Sequence, residues 1–298
     1  MLILAALAMA PTAYDREIET LLQRRDERKA AEARQRPAGE GAGADDRAAL
    51  AEVIPPAIAE RLAACLAEAN RAPEAGIAAA QAWARENGGA YAAQCHGYAL
   101  GKAERWKEAA DAFESGAAIA GLDAVTRARL WAQAGNAALI GGDAPRATRA
   151  LDHALERALP RTLATGEIYL DRARARVAAG DQPGARADLD QAVQLAGADP
   201  LAWLLSATLA RRMNDLPLAR AHIEEAARRA RNDAAIALEQ GIIYALGGDR
   251  DEAARAAFQR ARELAAPESA VAQQAADYLA QLDGAAAPSP KPEPAPGR

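Results

Sequence analysis

Three segments of the chain repeat one pattern of residues at nearly constant spacing. They read GDAPRATRALDHAL at 142–155, GDQPGARADLDQAV at 180–193 and NDLPLARAHIEEAA at 214–227. Each begins with a Gly-Asp or Asn-Asp pair that favours a turn, and then has a proline suited to the first turn of a helix. Apolar residues at helical spacing follow. One such unit cannot bury its apolar stripe alone, so the repetition predicts a stack of similar helical units.

The repeat extends to six copies when it is aligned on the alanine that follows each turn. Successive spacings are 34, 38, 38, 34 and 34 residues, so two copies have about one additional helical turn. The aligned alanines are Ala75, Ala109, Ala147, Ala185, Ala219 and Ala253. A small residue comes twelve positions earlier, at Ala63, Gly97, Gly135, Ala173, Ala207 and Gly241. We therefore predict two helices per copy, which cross closely at the small residues.

Composition favours thin layers of helix packed on helix, and a search for catalytic motifs finds none of the common ones. Hydrophobic residues make up 51% of the chain and aromatic residues only 4%, and much of the apolar content is alanine, the best helix former. The sequence has no HExxH, GxxxxGK(S/T) or GxSxG motif, and His96, His153 and His222 are scattered. We expect no catalytic residue, no cofactor and no metal site. The net charge of −5 argues against a nucleic-acid partner.

The pattern resembles the tetratricopeptide repeat family over about residues 56–267. The matching features are the small residues, the Gly-Asp turns, Trp131 early in a first helix, and prolines near the repeat ends. The resemblance implies an all-α, right-handed α-solenoid of about six helical hairpins, with residues 269–282 as a C-terminal capping helix. The sequence departs from the pattern at Arg172, where leucine is usual. In the last copy Phe258 rather than Ala257 suits the aromatic position, which implies a one-residue shift.

The sequence divides into four segments. Residues 1–13 are apolar and form a candidate signal peptide, and 14–49 combine a charged helix with a flexible linker. Residues 50–283 hold the repeats, and 284–298 are a proline-rich tail that we expect to be disordered. No segment is long and apolar enough to span a membrane as a helix.

Two features bear on location. The first apolar run ends in Ala8-Met9-Ala10, which suits signal peptidase, but no Lys or Arg precedes it and Pro11 follows it. We expect a periplasmic protein, with a cytoplasmic chain as the alternative. Cys65 and Cys95 fall on first helices of adjacent copies, where a disulfide would form if the chain is exported. The alternative is two free cysteines buried as small apolar side chains.

The resemblance also implies a groove, lined by the first helix of each copy, that binds a peptide or a partner segment. Counting from the small residues places these candidate groove residues on it: Tyr91, Gln94, Tyr98, Arg129, Asn136, Asp171, Arg174, Leu204 and Thr208. Some members of the family clamp a terminal carboxylate with paired lysines and asparagines. Only Asn136 matches that pattern, so the clamp is not assigned here.

The resulting hypothesis is a non-enzymatic protein-binding scaffold of the cell envelope. Two alternatives stay open at this point. The first is a self-assembling structural protein, a homo-oligomer formed through the N-terminal helix or through an exposed end of the repeat array. The second is an accessory subunit of an enzyme or of a secretion complex, with catalysis on another chain.

Overall fold

The computed structural model describes residues 54–156, 163–248 and 251–286. The candidate signal peptide at 1–13 and the charged segment at 14–49 lie outside the described residues. The described part forms two compact units, which divide between Ala196 and Gly197. The last helix ends at Ala286, so it extends three residues into the segment predicted as the tail.

In the described ranges the regular secondary structure is α-helix. The helices of the N-terminal unit are α1 Pro56–Arg71, α2 Pro73–Arg85, α3 Gly89–Lys102, α4 Trp106–Ala117, α5 Ala124–Ile140, α6 Ala144–Leu155, α7 Leu163–Ala178 and α8 Gln182–Leu195. Those of the C-terminal unit are α9 Pro200–Arg212, α10 Leu216–Arg229, α11 Ala234–Leu246, α12 Asp251–Leu264 and α13 Ala270–Ala286. Helices α1 to α12 pair into six hairpins, and α13 packs on the last of them. The all-α class, the hairpin repeat and the closing helix are confirmed.

The repeated Gly-Asp and Asn-Asp pairs are helix N-caps. The Asp143 carboxylate accepts from the Arg146 backbone N–H at 3.0 Å, and Asp181 accepts from Gly184 at 2.9 Å. Such caps contribute about 1 kcal/mol each, because they satisfy backbone donors that the first helical turn leaves open. The preceding glycines, Gly142 and Gly180, have φ of 81° and 84°, a conformation that disfavours side chains.

The small residues lie where the two helices of a hairpin touch. A Cβ added at Gly97 would lie 2.7 Å from the Phe113 ring, and one at Gly241 would lie 2.4 Å from the Phe258 ring. Ala254 and Phe258 are 0% and 1% exposed. The one-residue shift predicted for the last copy is therefore confirmed.

The predicted register is wrong in the first hairpin. Ala63 is exposed and Ala75 is only half-buried. The close approach occurs instead at Gly76, whose added Cβ would lie 2.5 Å from the Cα of Ala69. Only Ala72 separates α1 from α2, whereas three residues separate the helices of the second hairpin, so the first pair of helices meets closer to its turn.

Arg172, the departure from the apolar pattern, belongs to an ionic network inside the N-terminal unit. Its guanidinium donates to Asp188 at 2.6 and 2.9 Å and to Asp152 at 2.9 Å, and Arg176 also reaches Asp188 at 2.9 Å. Burial acts to lower the pKa of Arg172, but the two carboxylates outweigh burial and the net pKa is raised. The network ties α6, α7 and α8 together.

We expect Gly97→Ala to lower the free energy of unfolding by about 1 to 3 kcal/mol, because the new methyl group would overlap the Phe113 ring. Gly101→Ala on the same helix is the matched control. Its Cβ would meet its nearest atom, on Trp106, at 3.3 Å. The Trp106 ring needs to shift by only a few tenths of an ångström and alanine is the better helix former, so this change should cost much less than Gly97→Ala. Denaturant unfolding of both variants measures the difference, and equal stability would contradict the close crossing.

Candidate functional site

Polar side chains cluster on the first helices of three successive hairpins in the N-terminal unit. We call this set the polar face. It consists of Tyr91, Gln94 and Tyr98 on α3, Arg129, Gln133 and Asn136 on α5, and Asp171 and Arg174 on α7. The three α5 residues are spaced i, i+4 and i+7, which places them on one side of that helix.

The centre of the polar face is a hydrogen-bonded chain between neighbouring hairpins. Asn136 Nδ2 donates to Asp171 Oδ2 at 2.8 Å, and Arg174 Nη1 donates to Asp171 Oδ1 at 3.0 Å. Asp171 is 8% exposed, so these bonds keep its buried carboxylate satisfied. A carboxylate only accepts, so the Asn136 amide nitrogen must point towards it and Oδ1 must point elsewhere. The structure thus brings together three of the residues predicted from sequence.

Arg129 differs from Arg174 in its surroundings. Its side chain is half-buried, and among the described residues nothing accepts a hydrogen bond from its Nε or Nη2, both of which are covered. Burial lowers the pKa of the guanidinium, and the neighbouring Tyr91 and Asp123 oppose that shift. An arginine still keeps its charge at ordinary pH. A covered donor without a partner costs about 1 to 3 kcal/mol, so this group gains from any acceptor that reaches it.

Three amide oxygens of the polar face are also unsatisfied. Gln94 Oε1, Gln133 Oε1 and Asn136 Oδ1 are covered and accept no hydrogen bond within the described part of the chain. Gln94 is 9% exposed, which makes it one of the most buried polar side chains of the unit. Native proteins leave few such groups unpaired, so a cluster of them on one face calls for an explanation. One such explanation is a bound partner that supplies both hydrogen-bond donors and acceptors.

The other predicted groove residues have different roles. Tyr98 donates its hydroxyl to Asn70 Oδ1 at 2.7 Å, so it ties α3 to α1. Leu204 and Thr208, in the C-terminal unit, were predicted to line the groove and the prediction is wrong. They are 2% and 4% exposed, and the Thr208 hydroxyl donates to the Leu204 carbonyl of its own helix. Helical spacing placed Leu204 and Thr208 on one side of α9, but it did not show that this side is buried in the fold.

Sequence reasoning missed Gln133. It lies one turn after Arg129 and three residues before Asn136, so extending the inward spacing by one more position would have found it. Asn70 was also missed. Its role depends on the contact between α1 and α3, which the repeat register alone did not specify, because the first copy departs from that register.

The two cysteines join the first helices of the first and second hairpins. Cys65 on α1 and Cys95 on α3 have their Cα atoms 6.2 Å apart and their sulfur atoms at bonding distance, 1.98 Å, in a disulfide. They lie in a small apolar cluster with Leu62, Ala80 and Trp83. The bridge therefore holds the first hairpin on α3, the helix that presents Tyr91 and Gln94.

Two observations on the described residues bear on catalysis. Among them, no group of three His, Cys, Asp or Glu side chains is arranged to hold a metal ion. One serine lies beside a histidine: the Ser206 hydroxyl is 2.6 Å from His222 Nδ1. Ser206 is 0% exposed, so a substrate could not reach it. In the part of the chain that the structure describes, no helix has the length and apolarity needed to cross a membrane.

Comparison with solved structures identifies the fold. The chain is similar to PilF of Pseudomonas aeruginosa (TM-score 0.59, 16% identity, covering 76% of this chain and 99% of that one). It is also similar to the C-terminal part of a TPR repeat-containing protein from Cytophaga hutchinsonii (TM-score 0.58, 13% identity, 75% and 87%). A third similar structure is YrrB, described as a TPR protein with an unusual peptide-binding site (TM-score 0.52, 17% identity, 66% and 96%). No protein-family profile and no curated protein matches the sequence.

Proposed function

We propose, on the premise that the chain has the tetratricopeptide repeat fold, that this protein is a non-enzymatic scaffold that binds a segment of another protein. The binding site is the polar face of the N-terminal unit. The proposal depends on one observation above all. Arg129, Gln94, Gln133 and Asn136 keep covered hydrogen-bonding atoms without partners in the described residues, and they lie on first helices of successive hairpins.

A rigid array of helices suits this role. Helices α3, α5 and α7 are held by their own hairpins, and Asn136 and Asp171 connect two of them directly. The helices that carry the binding side chains are therefore positioned before the partner arrives, which limits the entropy cost of association. The similar structure YrrB is itself described as having a peptide-binding site, which supports the proposal by analogy of fold.

We also propose that the protein works in the cell envelope, in the periplasm. The support is the Cys65–Cys95 bridge, because structural disulfides persist in oxidising compartments and are rare in the cytosol. The apolar residues 1–13 are consistent with export.

Site-specific photo-crosslinking in the source organism tests the binding role. The photoreactive residue p-azidophenylalanine replaces Tyr91, an aromatic position of the polar face, and in a matched variant it replaces Arg149, an exposed residue on α6. We expect Tyr91 to capture one discrete partner protein that Arg149 does not capture. Equal capture from both positions, or none from Tyr91, would contradict the proposal. Capture of a second copy of this chain alone would show self-assembly instead.

A further inference from the structure

We infer that the polar face selects an extended segment through an acidic side chain, whose carboxylate pairs with Arg129 while a backbone N–H of the same segment donates to Asn136 Oδ1. This inference rests on the proposed function and names the chemistry of the partner. It depends on the unsatisfied atoms of the face and on the difference between its two arginines.

Of the two arginines, Arg129 is the one whose pairing with a partner's carboxylate would add hydrogen bonds without displacing an existing one. The Arg174 guanidinium already donates to Asp171, so an incoming carboxylate there would compete with a carboxylate of the protein itself. Arg129 Nε and Nη2 have no acceptor among the described residues, and the fork that they form matches the two oxygens of a carboxylate. Hydrogen bonds between two charged groups are about twice as strong as neutral ones, so this position dominates recognition.

The unsatisfied amide oxygens indicate that the ligand is a peptide and not a simple anion. Asn136 Oδ1 must accept, because Asp171 fixes the orientation of the amide. An ionised free carboxylate offers acceptors to Arg129 but no donor to Asn136. An extended peptide offers both, because every residue except proline has a backbone N–H and a carbonyl. Gln94 and Gln133 have two further unsatisfied acceptors on the polar face.

Access requires only a local change. The unsatisfied nitrogens are covered, but the Arg129 side chain as a whole retains exposed surface. Rotation about its terminal bonds brings the guanidinium outward, and side chains with exposed surface rotate on the picosecond-to-nanosecond timescale. The bond to Asp171 points Asn136 Oδ1 away from that carboxylate, but this oxygen is covered as well, so the side chains over it must also move before a partner N–H reaches it.

A peptide array tests the inference on the full-length protein. The probes are extended peptides with blocked termini, made in matched pairs that have Asp and Glu in one member and Asn and Gln at the same positions in the other. Blocking removes terminal carboxylates, so that only side chains are compared. We expect wild type to bind the acidic member about tenfold more tightly, the equivalent of about 1.4 kcal/mol, with a preference that weakens as salt is added.

Arg129→Gln should abolish the acidic preference, whereas Arg149→Gln, which removes an exposed arginine from the second helix of the same hairpin, should retain it. Arg129→Lys keeps the charge but loses the fork, so it should retain a reduced preference, and it serves if Arg129→Gln fails to fold. Equal binding of both members of each pair, or a preference that survives Arg129→Gln, would overturn the inference and leave the proposed function standing. Failure of wild type to bind any peptide would contradict the proposed function itself.

Discussion

Asp188→Ala is expected to lower the free energy of unfolding of the N-terminal unit by about 3 to 5 kcal/mol, because it removes the shared anion of a buried ionic network. The Asp188 side chain is 3% exposed and accepts from both Arg172 and Arg176, whose side chains are 15% and 20% exposed. Without it, two partly buried guanidinium groups lose their shared buried anion, and the carboxylate that stays near both is Asp152, which is 47% exposed and so compensates them less well. Denaturant unfolding monitored by circular dichroism measures the loss.

Two further variants separate the network from general damage. Asp190→Ala on the same helix removes a carboxylate that is 53% exposed and pairs with Arg186, so it should cost no more than about 0.5 kcal/mol. Replacing Arg172 and Asp188 together by leucine should recover part of the lost stability, because packed apolar groups often match a buried ion pair, while Arg176 keeps Asp152 and Asp181 at 3.6 and 3.8 Å. If Asp188→Ala costs no more than Asp190→Ala, the network does not stabilise the unit.

Loss of the Cys65–Cys95 bridge is the second large expected effect. The two cysteines are 30 residues apart in sequence, and closing a loop of this size stabilises a fold by about 3 to 4 kcal/mol through the unfolded chain. Replacing both by alanine, or reducing the wild type, should therefore lower the unfolding midpoint. Hydrogen exchange should show the loss of protection concentrated in α1 and α2, because the bridge holds them on α3.

The alanine double variant is also the control for reduction. Reductant should shift the unfolding midpoint of the wild type but leave that of the double variant unchanged. A wild type that is insensitive to reductant would show that the bridge does not contribute to stability. It would also remove the main support for a periplasmic location.

Much of the fold could be predicted from the sequence, because only small residues fit where the two helices of a hairpin cross closely. At Gly97 and Gly241 a partner aromatic ring occupies the space of a side chain, so the sequence must repeat a small residue there. The caps at Asp143 and Asp181 repeat for a similar reason, because each satisfies open backbone donors. The first hairpin departs from the register because its turn is a single residue, Ala72, and its second helix begins directly at Pro73.

The candidate site was predictable only in part. Asn136, Asp171 and Arg174 were found by spacing, because inward positions on first helices of neighbouring hairpins meet. Spacing did not reveal which polar atoms lack partners, and that property distinguishes Arg129 from Arg174. It also did not reveal burial, so Leu204 and Thr208 were wrongly placed at an open surface. Arg172 stood out as a departure, but its partner Asp188 lies 16 residues away on the next helix, and only the folded hairpin identifies it.

Hydrogen exchange on the protein alone and on the complex isolated with its crosslinking partner tests the central claim most directly. Binding at the polar face should slow hydrogen exchange in α3, α5 and α7. Exchange in α4, α6 and α8, the second helices of the same hairpins, should stay nearly unchanged. Protection confined to α4, α6 and α8, or to the C-terminal unit, would contradict the assignment of the binding site.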